Sequence, residues 1–195
     1  MTKIAVYCGA NEGFGEEYVA QARKLGEWLV QKNYDLVFGG GKIGLMGVVA
    51  DTVLAGGGKA YGVMPQFLVD QEQAHDGLTK LTIVNDMDER KQAMLTQADV
   101  CIALPGGPGT MEEFTQAYSL LRVGQSTNPC VLFDYAGYYS NFVAQYDLMV
   151  EQGFLSVADR KKLFCSDSLE EIDEYVTDQL LNPPVFDFKD VKVKK

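Results

Sequence analysis

Short apolar runs alternate along this chain with longer stretches in which apolar residues return every three or four positions. Ile4-Ala5-Val6-Tyr7-Cys8 reads as a strand, and Tyr18, Ala22, Leu25 and Leu29, with Trp28 beside them, then mark one face of a helix. A second strand over 35–38 is closed by Gly39-Gly40-Gly41. A helix over 45–55 ends at Gly56-Gly57-Gly58, and a third strand over 60–64 stops at Pro65. Residues 66–79 form a polar connection of a length that, in a compact domain, is often functional. Beyond it the pattern gives a strand over 81–84 and a helix over 87–97, opened by Asp86 as N-cap with Glu89 three residues on. A strand over 100–104 and a helix carrying Met111, Phe114, Tyr118 and Leu121 follow. The remainder reads as a strand over 130–133, a helix over 138–152, an edge strand at 162–165, and a last helix to Leu181 with Ser168 and Glu171 as its capping box.

Strand and helix alternate throughout, and the strands are almost continuously apolar. That pattern predicts an α/β fold: a doubly wound, Rossmann-like parallel sheet with helices on both faces. One domain spans 1–181, and 182–195 is a C-terminal tail with two prolines and alternating charge, read as a surface strap or as disordered. Such sheets bind ligands beyond the C-terminal strand ends, near the reversal in strand order. The glycine loops after the first, second and fifth strands lie on that edge.

The composition, 47% hydrophobic and 23% charged, is that of an ordinary folded domain. No apolar run approaches the ~20 residues of a membrane span, and the first strand starts at once, so a cytoplasmic protein is expected. A net charge of −10 argues against nucleic-acid and anionic-membrane partners. It also requires any anionic substrate to be met by a local positive site. Cys8, Cys101, Cys130 and Cys165 are widely spaced, three of them in apolar strands, with no CxxC and no metal-ligand spacing; they read as reduced core residues. His75 is the only histidine, which leaves no room for a histidine-based triad or a multi-histidine metal site.

The stretch Leu104-Pro105-Gly106-Gly107-Pro108-Gly109-Thr110-Met111-Glu112-Glu113 is strand, glycine turn and helix in succession. In that geometry backbone N–H groups and a helix dipole hold a phosphate. Glu112 and Glu113 fall in the first turn of the helix, where a pure anion site would not want them. Thr110 and Glu113 also fit a capping box, Thr-x-x-Glu, yet a capping box does not require Gly106, Gly107 and Gly109. The two glutamates point about 100° apart on the helix, so one can face a ligand while the other serves the cap or a ribose. Spacing does not choose between them.

Gly39-Gly40-Gly41-Lys42-Ile43-Gly44 fits GxGxxG after a strand. The acid that should hold a ribose ~20 residues on is replaced by Met64-Pro65, and the loop follows the second strand, not the first. Gly41 and Gly44 are therefore read either as a tight turn for a mononucleotide phosphate or as close helix–sheet packing. No GxxxxGK[ST] is present. On the 87–97 helix, Arg90 lies within the inward stripe of Met87, Met94, Leu95 and Ala98. Its stem can lie on the core while its charge reaches water, or the guanidinium can serve a phosphate or a transition state. Lys91 beside it is a supporting charge or a solvated residue.

Taken together these motifs resemble the LONELY GUY family of cytokinin-activating phosphoribohydrolases. Pro105 to Glu113 matches its PGGxGTxxE, and Gly39-Gly40-Gly41-Lys42-Ile43-Gly44-Leu45-Met46-Gly47 its GGGxxGLMG. Met87 with Arg90-Lys91 resembles its MHxRK, Glu72 to His75 its E-x-A-H, and Gly137-Tyr138-Tyr139 its GYY. The resemblance runs in order from Val6 to about Phe154. It implies hydrolysis of the N-glycosidic bond of adenosine-type 5′-monophosphates such as AMP, preferably N6-prenylated, to free base and ribose 5-phosphate. It implies a homodimer and neither cofactor nor metal. Many members are labelled lysine decarboxylases, but the chain has no recognisable pyridoxal-phosphate lysine motif. By position, Arg90 and Glu113 would be the catalytic pair. Gly106, Gly107, Gly109 and Thr110 would hold the phosphate, with Glu72, Lys91 and Glu112 around the nucleotide. The helix N-terminus would help keep Glu113 ionised. The chain departs from the pattern at Asp88, Ala10, Leu120 and Asn128, where the family commonly has histidine, serine, tryptophan and lysine. These changes concern the lining of the pocket and its supports, and so bear on base preference.

Overall fold

The computed structural model describes residues 1–71 and 73–186. Among them are seven strands, β1 (Lys3–Tyr7), β2 (Asp35–Phe38), β3 (Ala60–Pro65), β4 (Lys80–Val84), β5 (Val100–Ala103), β6 (Cys130–Phe133) and β7 (Leu163–Ser166). They form one sheet in the order β4-β3-β2-β1-β5-β6-β7, with every neighbouring pair parallel. Strand order reverses between β1 and β5, where Ile4 pairs with Leu36 on one side and Val100 on the other. A crevice therefore opens beyond the C-terminal ends of those two strands.

The helices are α1 (Glu16–Gln31), α2 (Gly44–Ala55), the single-turn α3 (Gln66–Val69), α4 (Met87–Gln97), α5 (Pro108–Arg122), α6 (Ser140–Glu151), α7 (Val157–Lys161) and α8 (Leu169–Leu181). Side chains alternate between the two faces of each strand, and this splits the interior into two cores. Ile4 and Val6 face α1, α2 and α8 through Leu25, Leu29, Val49, Val53, Ile172 and Val176. Ala5 and Tyr7 face α4, α5 and α6 through Met94, Leu95, Phe114, Tyr118 and Tyr146. With both faces covered, β1, β2, β5 and β6 are buried almost end to end, which is why they read as unbroken apolar runs.

Several local readings need correction. α5 starts at Pro108 with Gly107 as N-cap, and no side chain caps it. Proline suits the first helical turn because its missing N–H would be unpaired there anyway. Thr110 is thus inside the helix and buried, so the Thr-x-x-Glu capping box does not form. Glu112 and Glu113 consequently lie in the second turn, and the first turn carries no acid. Asp86 does cap α4, accepting from the Glu89 N–H at 2.8 Å, but the Glu89 carboxylate returns to the Asn85 N–H at 2.9 Å, one residue earlier than a capping box would have it. The segment before α6 is a 3-10 turn over Tyr135–Gly137. The short α7, capped by Ser156, is an element the apolar spacing did not predict. No helix among the described residues is long and apolar enough to cross a membrane. The tail is described only to Phe186; the rest of the 182–195 segment lies outside the described residues.

Candidate active site

The strand-to-helix turn after β5 is fixed by its surroundings. Gly9, just past β1, donates its N–H to the Pro105 carbonyl at 3.1 Å. The Tyr138 hydroxyl donates to the Gly106 carbonyl and the Tyr139 hydroxyl to the Leu104 carbonyl, each at 2.6 Å. These tyrosines engage two carbonyls of the turn and fix its path. A side chain at Gly106 would overlap the Thr110 hydroxyl, so that glycine is needed for packing. Gly107 and Gly109 differ. A Cβ at either would meet nothing within 4 Å, and neither backbone is in the left-handed region. Nothing in the chain requires these two to be bare. Their bareness makes room for something outside the chain to approach the first N–H groups of α5.

Behind this rim lies a buried ion pair. Arg90, from the inner face of α4, crosses beneath the ends of β2 and β3. It donates Nε–H to the Val63 carbonyl at 3.0 Å and Nη2–H to the Gly39 carbonyl at 3.1 Å. Its Nη1 lies 3.2 Å from Glu113 Oε1, and both side chains are about 10% exposed. The guanidinium therefore does not run out to water along the core. A Cβ on residue 39 would overlap it, so Gly39 is the cavity that Arg90 fills. Burial pushes the Glu113 carboxyl up from 4.5 to about 6. The Arg90 charge opposes that rise; Glu112 adds to it, and Lys91 opposes it more weakly. The helix N-terminus is thus not what sets the state of Glu113. Desolvation outweighs the attraction of the cation, and the carboxylate is ionised at neutral pH with a proton affinity suited to accepting one.

The pair and the glycine rim share one cleft of about 610 Å³, a size normal for a small-molecule site. Arg90 and Glu113 reach it from α4 and α5. Gly106, Gly107, Gly109 and Thr110 form one rim, and the residues following β1, Cys8 to Phe14, form an adjoining wall. Tyr18, Leu45, Met46 and Tyr138 complete it. Burial pushes the Cys8 thiol far above its usual range, so it is an apolar wall here and not a nucleophile.

Other sequence candidates lie elsewhere. Lys91 turns away from the cleft to Glu112 Oε1 at 2.7 Å and Asp88 Oδ1 at 2.9 Å, and neither Lys91 nor Glu112 lines it. Gly41 and Gly44 do not line it either. A Cβ at Gly41 would meet chiefly the flexible end of Met46, whereas Gly44 takes a φ of 63° against the backbone of Ala10, so the packing reading accounts for Gly44. Glu72 lies outside the described residues. Its neighbours Gln73 and His75 bond to the backbone of Lys42 and Gly40, which lays that connection against the second glycine loop. Of the four departures from the family pattern, only Ala10 lines the cleft. Asp88 pairs with Lys91, and the Asn128 amide donates to the Leu95 and Ala98 carbonyls at the end of α4.

Sequence reasoning placed the loop after β1 on the ligand edge and Ala10 in the pocket lining, but named no site residue among 11–14, read Tyr18 only as a helix-face residue, and quoted Tyr138 only within a motif. The available signal was Gly9 after the first strand, on the same sheet edge as Gly106.

Comparison with known proteins gives a consistent picture. The family model described as "Possible lysine decarboxylase" matches residues 46–176. The chain is 40% identical over 169 residues to a probable cytokinin riboside 5′-monophosphate phosphoribohydrolase, LOG4, of Oryza sativa subsp. japonica, covering 87% of this chain and 74% of that one. It is 37% identical over 168 residues to the cytokinin riboside 5′-monophosphate phosphoribohydrolase of Rhodococcoides fascians, covering 86% and 85%. The molybdenum cofactor carrier protein of Chlamydomonas reinhardtii superposes with a TM-score of 0.70 at 19% identity, over 93% of this chain and 98% of that one, a likeness of fold alone. With a family model covering most of the sequence and relatives 37–40% identical over most of both chains, the chain belongs to the LOG family, whose model carries the lysine decarboxylase description.

Proposed function

We propose that this protein hydrolyses the N-glycosidic bond of an adenosine-type nucleoside 5′-monophosphate, releasing the base and ribose 5-phosphate. The observation that carries the proposal is the buried Arg90–Glu113 pair in the same cleft as a helix N-terminus whose glycines leave room for a phosphate. A phosphate at Gly107–Gly109 meets the free N–H groups and positive end of α5. Glu113 comes four residues after Gly109, about 6 Å further along the axis, the reach of a ribose with its 5′-methylene. The carboxylate then stands at the anomeric carbon. Breaking the bond from C1′ to the base leaves an electron pair with the base and positive charge on the sugar, which an ionised Glu113 stabilises. Water adds to C1′, its proton passes to Glu113, and the departing base takes a proton from solvent. Arg90 holds the carboxylate in place and keeps its proton affinity from rising further.

The printed names of the relatives support an N6-modified, cytokinin-type base, and Leu45, Met46, Phe14 and Tyr18 give the cleft apolar walls for one. The decarboxylase description does not suit the residues present. Such an enzyme would carry pyridoxal phosphate on a lysine, yet no lysine among the described residues lines the cleft, and Lys91 is held by two carboxylates. The homodimer the family implies belongs to this proposal too. Sedimentation would read the mass. A cytoplasmic location completes the proposal, supported by four free cysteines, three of them buried.

Incubation with AMP and with N6-isopentenyl-AMP, following free base by chromatography, tests the reaction. Base should appear from at least one of them, faster from the prenylated nucleotide. Folded protein releasing base from neither would end the proposal.

A further inference from the structure

One wall of the cleft is built from a segment with no hydrogen bonds of its own, although its first two residues pack against the backbone at Gly44. Gly9 is tied to Pro105, and α1 begins at Glu16. Between them, residues 10–14 make no backbone or side-chain hydrogen bond to other described residues. At the far end of this segment stands Phe14, with a relative exposure of 105%, the highest of any large hydrophobic residue described. A scattered exposed phenylalanine is common and by itself means little. This one lines the cleft. It also sits between two glycines in conformations that other residues avoid, Gly13 at φ 79° and Gly15 at φ 133°, ψ 138°. The sequence therefore places a backbone joint on each side of a fully solvated aromatic ring, at the mouth of the substrate site.

We infer that residues 10–14 form a lid that closes on the bound nucleotide, with Phe14 as the group that covers it. The inference rests on the nucleotide reading above. The energetic reason is the exposed ring. Phe14 buries none of its ring against the chain, while the neighbouring Gly13 lies close against the Tyr18 ring. A bound nucleotide supplies a flat apolar face and edges, so rotation about Gly13 and Gly15 removes phenyl and ligand surface from water together. Residues 12–14 have no hydrogen bond to break when the loop moves. Phe14 is thus a positioning residue that strengthens nucleotide binding without touching the reacting atoms.

Tryptophan at position 14 reports closure directly, since the chain's only tryptophan, Trp28, is buried and gives a constant background. In the Phe14→Trp, Glu113→Gln double variant, AMP stays intact and its binding can be followed by calorimetry and by emission in one titration. A blue shift that saturates with AMP binding is expected. Adenine together with ribose 5-phosphate, the two products, added to Phe14→Trp with Glu113 intact should give the same shift, and ribose 5-phosphate alone should not, which keeps the test available if the double variant does not fold. In steady state, Phe14→Ala should raise KM for AMP about tenfold, the order expected for one ring's stacking, with kcat within about twofold, and Phe14→Tyr should restore it. Ligand binding without any change in emission, or an unchanged KM in Phe14→Ala, overturns the lid while leaving the nucleotide reading intact. Absence of binding by either ligand to folded protein overturns both.

Discussion

Replacing Glu113 by glutamine should abolish turnover and, above pH 6, make the protein more stable. The stability half is the less obvious. Glu113 is buried beside Arg90, and two effects compete. Removing one partner of a buried ion pair commonly costs about 3–5 kcal/mol, because the other charge is left uncompensated. Against this, the carboxyl is raised from 4.5 to about 6, with burial the largest cause and Arg90 only opposing it. Ionised Glu113 is therefore held against its preference. The Arg90 guanidinium would not be stranded, since the Val63 and Gly39 carbonyls keep two of its N–H groups and the glutamine amide oxygen can take the third. The second effect should win.

Its size follows from linkage. A carboxyl at 4.5 unfolded and about 6 folded makes ionisation in the fold unfavourable by roughly 2 kcal/mol. The sign is set by which state holds the proton: between pH 4.5 and 6 the folded protein binds it more tightly, so wild-type stability falls as pH rises through that window. Below pH 4.5 the acid is neutral in both states, and glutamine should make little difference. Above pH 6 the full gap of about 2 kcal/mol should be present and level. Urea unfolding of both proteins from pH 4 to 8 reads the gap directly, provided the denaturant slope is unchanged. A Glu113→Gln protein less stable than wild type at pH 7.5, or a gap that does not close toward pH 4.5, would refute the reasoning.

The same carboxylate sets the pH dependence of the reaction: kcat/KM should fall as pH drops through about 6, with a single protonation on the acid limb. Arg90→Met removes the main effect lowering the Glu113 pKa, so that limb should move to higher pH while the fold loses about 3 kcal/mol, read by activity profile and urea titration. Gly107→Ala and Gly109→Ala should leave melting temperature unchanged or slightly raised, since neither Cβ meets the chain, yet raise KM at least tenfold by obstructing the phosphate. Gly106→Ala, whose Cβ would overlap Thr110 and crowd the Gly9 nitrogen, should instead lower the melting temperature.

What could be read along the chain follows from how local each cause is. β2 and β6 were predicted at their observed limits, 35–38 and 130–133, because strands buried on both faces leave a continuous apolar mark. α4 was placed at 87–97 because a cap and an apolar stripe agree there. The start of α5 was missed because Thr110 and Glu113 offered a cap that Pro108 pre-empted; the preference of proline for a first helical turn was the better signal. At Arg90 the periodicity indicated an inward-facing charge without saying what received it. The answer depends on Gly39 lacking a side chain, 51 residues away in sequence, and no local pattern records a vacancy of that kind. Of the β1–α1 wall, the sequence marked Gly9 and Ala10 but not Asn11 to Phe14, since only the parallel sheet brings those into the cleft with Gly107.

A non-catalytic nucleotide or cofactor carrier could use the same sheet, the same switch point and the same glycine rim, and the fold shared with a molybdenum cofactor carrier at 19% identity does not separate the two. The energetics of the pair do. Phosphate binding asks for free N–H groups and space, both supplied by residues 106–110. It does not ask for a carboxylate, which repels a phosphate. Nor does it ask for an arginine whose Nε and Nη2 are bonded to the Val63 and Gly39 carbonyls and whose Nη1 pairs with that carboxylate. Glu113 lowers the stability of the fold when ionised and opposes the ligand's charge. A group unfavourable on both counts is accounted for only if its negative charge is needed at one moment, when the sugar becomes positive. A Glu113→Gln protein that binds AMP more tightly than wild type while releasing no base would show both consequences of that charge at once. Equal base release by the variant would return the chain to the carrier reading.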